Sequence, residues 1–464
     1  MGLKVVFLGG GSWRILPIVR AAMAHRKVFD GGEIRLVDIV KPRAEAVGRM
    51  MMRTPEYQRV ACRIRWGMQL DRALEGADVL YLTMPVGSPR LARVGAPCVR
   101  RGFITSDQIS ITGSLASVKA GPMILDFARR MEKRCPRATM LIFCNPVAVY
   151  SGMVNNHTRI RALGLCGGFA NHRWDLTRLM GSDEYRDEYD VDVAGVNHLS
   201  FILKGTYRGR DLYKVIGPYL EEGWKPPKFT KANSGAAPHI RFALRKLVDM
   251  YHRFGKIIFS TEFDGMGHLY YEDALRRYAR PGRRRSEAQI HRDVMRGRAK
   301  RREQDRRYRE FLSADLDAEF WSRPRHENPW FARDDRHIAV VVLKALAGLG
   351  RQKIVTSHVN GDAVAGFKKR TVLEYSQFLD ARSLRPAGRF EVPDCFQGLI
   401  SSLATHQTLM GDAVATLDPR ILAEALFAYP VKQNTRESRQ LYREVLKLAS
   451  GDIPAPLRRA TDYV

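Results

Sequence analysis

The stretch KVVFLGGGSW, residues 4–13, constrains this chain more than any other. An apolar, β-branched run stops on Gly9, Gly10, Gly11 and Ser12, and WRILPIVRAAMAH follows with the spacing of an apolar-faced helix. Strand, glycine turn and helix in that order predict the first unit of a parallel sheet. Ser12 is expected to cap the helix, and Pro17 is tolerated because it falls in the first turn. EIRLVDI gives a second strand closed by Asp38, DVLYLTMP (78–85) a third, 116–134 a helix, and TMLIFCNP (139–146) another strand. The expectation is an α/β chain: a Rossmann-type, doubly wound parallel sheet over 1–165, then a mixed α+β substrate and oligomerisation domain over 166–464.

The chemistry follows from the turn. Bare backbone at Gly9–Gly11 and the open N–H groups of a helix start suit a pyrophosphate, with Ser12 beside it. Asp38 is placed to accept hydrogen bonds from a ribose diol. A carboxylate there favours NAD over NADP, because it repels a 2′-phosphate. The third glycine of G-x-G-x-x-G is replaced by Arg14, so the competing reading is a turn that only joins strand to helix.

The chain has 464 residues and a formal net charge of +28. That length predicts more than one domain. Much of the positive charge lies in RRYARPGRRRSEAQIHRDVMRGRAKRREQDRRYRE, 276–310. Interspersed acids and the lack of an aromatic platform argue for a solvated helix, and specific nucleic-acid binding is not expected. Six scattered cysteines show neither disulfide nor zinc spacing, which suggests a reducing compartment. The N-terminal apolar run is too short for a signal peptide or a membrane span, so a cytoplasmic protein is expected.

Two later apolar runs end on unusual residues: LGLCGG on Cys166 and GVNHLSF on Asn197-His198. A thiolate and an imidazole suit a divalent transition ion. Alternatively, Cys166 is a small buried hydrophobe and His198 a hydrogen-bonded core histidine.

The order Gly-Gly-Gly-Ser, LVDI, CNPVAVYSGMV, LGLCGG, GVNHLSF, together with the stretch EVPDCFQGLISSLATHQTLMGDAVATLDPRILAEALFAYP, resembles the family 4 glycoside hydrolases. These are NAD- and metal-dependent glycosidases related in fold to lactate and malate dehydrogenases. The resemblance implies that Cys166 and His198 ligate the metal, usually Mn²⁺. It implies substrate contacts from Asn145 and Asn197, and it puts the proton-transfer residue within FGKIIFSTEFDGMGHLYYEDAL, where Asp264 is the first choice and His268 and Tyr270 are alternatives. It further implies C3 oxidation by NAD⁺, metal-assisted C2 deprotonation, elimination at C1, water addition and re-reduction, in a homodimer or homotetramer.

The chain also departs from that pattern. Gly167-Gly168 follow the cysteine where the family carries a polar side chain, which leaves Asn171 or His172 to serve. Met84-Pro85, expected to be cofactor-binding, stand where the family commonly carries an arginine after the third strand. A divergent member is expected, and its basic balance suggests an anionic glycoside. The competing assignment is an NAD-dependent dehydrogenase of a hydroxy acid or polyol.

Overall fold

The computed structural model describes residues 2–84, 93–101, 108–181, 188–221, 238–259, 287–324, 327–328, 330–430 and 435–464. Six parallel strands form its first half: β1 (Lys4–Leu8), β2 (Glu33–Val37), β3 (Arg63–Gly67), β4 (Val79–Leu82), β5 (Thr139–Ile142) and β6 (Arg161–Gly164). Their spatial order is β3-β2-β1-β4-β5-β6, the doubly wound arrangement. β4 and β5 are buried throughout, so they read as unbroken apolar runs rather than alternating ones.

β3 is a strand that the sequence did not announce. Arg63 is exposed, and Arg65 lies 3.0 Å from Glu33 on β2. Charged side chains on the last strand blunt a sheet edge, and they also hide its apolar signature. The helix expected from 116 begins earlier, at Ile111, where Ser110 Oγ accepts from the Gly113 N–H at 3.1 Å.

Helix α1 (Ile15–Met23) has Arg14 at its N-cap with no side-chain bond, which corrects the capping role given to Ser12. Ser12 instead closes the glycine turn through its backbone, its N–H donating to Gly9 O at 3.0 Å. Helix α2 (Lys41–Met52) follows β2.

Beyond β6 the same sheet continues with antiparallel pairing. β7 (Tyr189–Val196), β8 (Leu199–Tyr207), β9 (Arg210–Asp211), β10 (Ile257–Phe259), β11 (Gln352–Val359), β12 (Val372–Leu379) and β13 (Leu384–Pro386) add seven strands to make thirteen. The junction is the pair Ser357 and Gly164 between β11 and β6. The helices Ile111–Arg134, Val147–His157 and Asp394–Thr416 pack beside this junction, and Pro419–Ala428 and Thr435–Ala449 follow near the C-terminus.

The arginine-rich segment is helical over Glu287–Ser313. Residues 291–302 are exposed apart from half-buried Val294 and Gly297, as a solvated helix should be. Its end is docked. Tyr308 is buried, and Arg53 at the end of α2 donates to Phe311 O and Leu312 O, each at 2.7 Å. All six cysteines are free, and no helix among the described residues is long and apolar enough to cross a membrane.

Candidate functional site

The glycine turn is built by close approach. Gly9 has φ +88°, and a Cβ there would lie 1.9 Å from Thr83 O. A Cβ on Gly11 would lie 2.5 Å from Arg43 Cβ and 2.9 Å from Asp38 Oδ2. The bare backbone is therefore required by the protein's own packing, whether or not a ligand sits over it. The hydrogen bonding is compatible with a ligand there. Gly9 and Gly10 N–H donate to Val37 O and Gly11 N–H to Asp38 Oδ2, whereas the Trp13 and Arg14 N–H groups find no partner among the described residues. They open the helix at its positive end, which is where a pyrophosphate is held.

Asp38 also accepts from Val40 N–H at 2.9 Å, so both carboxylate oxygens brace the turn while lone pairs remain for a ribose. Two exposed apolar side chains flank it, Ile39 at 89 % exposure and Met68 at 59 %. An apolar rim at the ends of β2 and β3 suits the face of an adenine ring. Sequence reasoning missed these two, although an Ile directly after the strand-closing Asp was a legible signal. Met84 follows β4 and is partly buried against the core, and Pro85 lies outside the described residues.

The second cluster joins residues far apart in the chain. Cys166 Sγ and His198 Nε2 stand 3.3 Å apart, and Cys166 is half-buried. His198 lies in the two-residue connection between β7 and β8 with φ +66°, a left-handed conformation that favours glycine or asparagine. A bulky side chain held there points to strain maintained for a purpose.

The brace for that connection is Glu374, which sequence reasoning also missed. Its Oε2 accepts from Asn197 Nδ2 at 2.7 Å and its Oε1 from Ser200 Oγ at 3.3 Å. Register puts Glu374 in a row of cross-strand pairs: Gly164 with Ser357, Ser357 with Glu374, Glu374 with Gly195, and Gly195 with Ser200. Gly195 has φ +153°, and a Cβ there would lie 2.5 Å from Leu199 O and from Ser200 Cα, so the strand pair closes on bare backbone. Burial raises the Glu374 pKa, and the donors from Asn197 and Ser200 together with the nearby His198 pull it back. An acidic residue inside TVLEYSQFL was the signal that could have found it.

An N,S donor pair fits a divalent transition ion, and Asn197 Oδ1 is buried without a hydrogen-bond partner among the described residues. No group of three or more His, Cys, Asp or Glu that could hold a metal ion occurs among the described residues.

Asn145 follows β5 at the carboxyl end of the parallel strands, and its bond to Pro146 is cis. Asn171 and His172 fall on helix Gly168–Leu179, but their side chains lie outside the described residues. So do Asp264, His268 and Tyr270, since 260–286 is not described.

Comparison with known proteins bears on the whole chain. The α-galacturonidase of Thermoanaerobacter italicus is 23 % identical over 96 % of this chain and 96 % of its own length. The 6-phospho-β-glucosidase of Escherichia coli is 24 % identical over 46 % of this chain and 48 % of its own. Among solved structures, a 6-phospho-α-glucosidase from gut microorganisms in complex with NAD and Mn²⁺ superposes with a TM-score of 0.78 at 17 % identity, covering 98 % of this chain and 99 % of that one. The family model for family 4 glycosyl hydrolases matches residues 4–181, and the model for their C-terminal domain matches 193–431. The glycine turn, the Cys166/His198 pair and the extended sheet that joins them are thus parts of a chain that belongs to family 4 of the glycosyl hydrolases.

Proposed function

We propose that this chain is an NAD- and divalent-metal-dependent glycosidase acting on an acidic glycoside, with a galacturonide as the first candidate. The observation that carries the reading is the 3.3 Å approach of Cys166 Sγ to His198 Nε2 across the extended sheet. The acidic substrate is supported by the relative matched along 96 % of this chain, an α-galacturonidase, and by the formal net charge of +28.

When bound, the two groups would supply a hydride acceptor for C3 of the sugar and a Lewis acid that acidifies C2–H. The chain's own parts have distinct tasks. Gly9–Gly11 with the Trp13 and Arg14 N–H groups seat the pyrophosphate, Ser12 lies beside it, and Asp38 takes the ribose. Met84 bounds the cofactor after β4. Cys166 and His198 hold the cation, and Glu374 fixes Asn197 so that its Oδ1 is available to a substrate hydroxyl or a bound water. Asn145 orients sugar hydroxyls. Proton removal at C2 falls to Asp264, with His268 and Tyr270 as the alternatives, and the base must lie within hydrogen-bond reach of that carbon's proton.

The test is a panel of nitrophenyl glycosides (galacturonide, 6-phosphoglucoside and neutral galactoside) with NAD⁺, Mn²⁺ and a thiol reductant. Nitrophenol release from the galacturonide without accumulation of NADH, and with solvent deuterium entering C2 of the product, is the expected result. NADH accumulation without glycoside cleavage would establish a dehydrogenase instead.

A further inference from the structure

The arginine-rich helix Glu287–Ser313 has no part in the reading above, yet it reaches the nucleotide corner at one point. Arg43, in the first turn of α2, lies against the glycine turn: its Cβ is 2.5 Å from where a Gly11 side chain would begin. Its guanidinium is committed in both arms to Asp305 on the arginine-rich helix. Nε donates to Oδ1 at 2.8 Å and Nη2 to Oδ2 at 2.6 Å. The pair is about one-third exposed, with side-chain values of 30 % and 35 %, so it is partly shielded from solvent.

A bidentate arginine and carboxylate pair uses the same fork that arginine offers to a phosphate. An arginine close to the strand-closing acid is where dinucleotide folds accommodate a 2′-phosphate. Here Asp38, whose charge also acts on Arg43, presents a carboxylate to the ribose.

We infer that Asp305 is a coenzyme-specificity residue: by engaging Arg43 it withholds the fork from a 2′-phosphate, so that the site takes NAD(H) and rejects NADP(H). Selectivity then rests on two carboxylates. Asp38 repels the extra phosphate, and Asp305 occupies the cation that would otherwise compensate it. Helix Glu287–Ser313 is the support that brings Asp305 to the corner, anchored by buried Tyr308 and by the Arg53 bonds to its last turn. Lys41, exposed at the start of α2, is another cation on the same helix turn as Arg43, but it is a single point charge without a fork.

This inference rests on the dinucleotide reading, and the experiment separates the two. Affinities of the full chain for NAD⁺ and NADP⁺ are measured by titration calorimetry for the wild type, Asp305→Ala, Arg43→Ala and the double variant. Wild type is expected to prefer NAD⁺. Asp305→Ala is expected to move the preference toward NADP⁺ by about tenfold or more, the scale of one charge-assisted hydrogen bond. The gain should vanish in the double variant, because Arg43 is its agent. Asp305→Asn, which keeps the shape and removes the charge, substitutes if the alanine variant does not fold. A preference unchanged within about twofold, or a gain that persists without Arg43 through Lys41, overturns the assignment to Asp305. Wild type that binds neither coenzyme overturns the dinucleotide reading itself.

Discussion

Glu56→Ala is expected to destabilise the protein far more than loss of an ordinary surface ion pair. Arg20, on α1, is only 2 % exposed. Glu56 binds it in a fork, at 2.9 Å through Nε and 2.9 Å through Nη2. The remaining donors reach Phe331 O at 2.5 Å and Trp321 O at 3.3 Å, and the guanidinium carbon lies 4.8 Å from the centre of the Trp321 ring. Removing the carboxylate strands a buried charge, which costs about 3–5 kcal/mol, against roughly 0–1 kcal/mol for an exposed pair. Glu56 keeps 12 % side-chain exposure, so the lower end, about 3 kcal/mol, is expected.

With an unfolding entropy of about 2 cal/mol/K per residue, a chain of this length unfolding as a unit loses about 1 °C per kcal/mol. The expected Tm drop is then about 3 °C, accompanied by an earlier urea midpoint. Arg20→Met combined with Glu56→Ala removes both charges and should recover part of the loss, because the unpaired charge is gone while Phe331 O and Trp321 O lose their donor. A Glu56→Ala loss under about 1 kcal/mol, or a double variant no more stable than the single one, would refute the reasoning. The pair matters beyond stability, since it ties α1, directly behind the glycine turn, to residues 321 and 331 of the second half.

Further expectations concern the site and the core. Gly9→Ala should cost at least about 2 kcal/mol, from left-handed backbone and collision with Thr83 O, whereas Gly167→Ala, with nothing within 4 Å of its Cβ, should be near neutral by thermal melting. Cys166→Ser and His198→Ala should each weaken Mn²⁺ binding by about tenfold or more in an EPR titration, and unchanged binding would remove these residues from the metal site. The folded-state pKa of Glu374 is raised, so its contribution to stability is fully present below the unfolded value near 4.5 and is lost as pH rises through the folded one. Wild type should therefore lose Tm relative to Glu374→Gln as pH increases, and a pH-independent difference would contradict this. Burial pushes His406 down to about 4, with Ala425 O partly opposing the shift, so its contribution is complete above 6.5 and declines as pH falls toward 4. His406→Gln should flatten that part of the acid melting profile.

The amino-acid sequence by itself determined most of the parallel half: strands β1, β2, β4 and β5, the glycine turn and the acid closing β2. Those features are local. An apolar run, glycine punctuation and the residue at a strand end all act on their own few neighbours. Cys166 and His198 stood out for the same reason, each ending an apolar run. Their pairing was expected from the family resemblance and not from the residues alone, and only the tertiary structure decided that Glu374 braces Asn197 from 177 positions away and that Asp305 engages Arg43 across 262. It also made a strand of Arg63–Gly67, whose charged side chains show an apolar pattern to nothing until β2 pairs with it. Periodicity tells a strand which face to bury and leaves open which strand lies beside it. That choice comes from long-range register, and the electrostatics of the site follow from it.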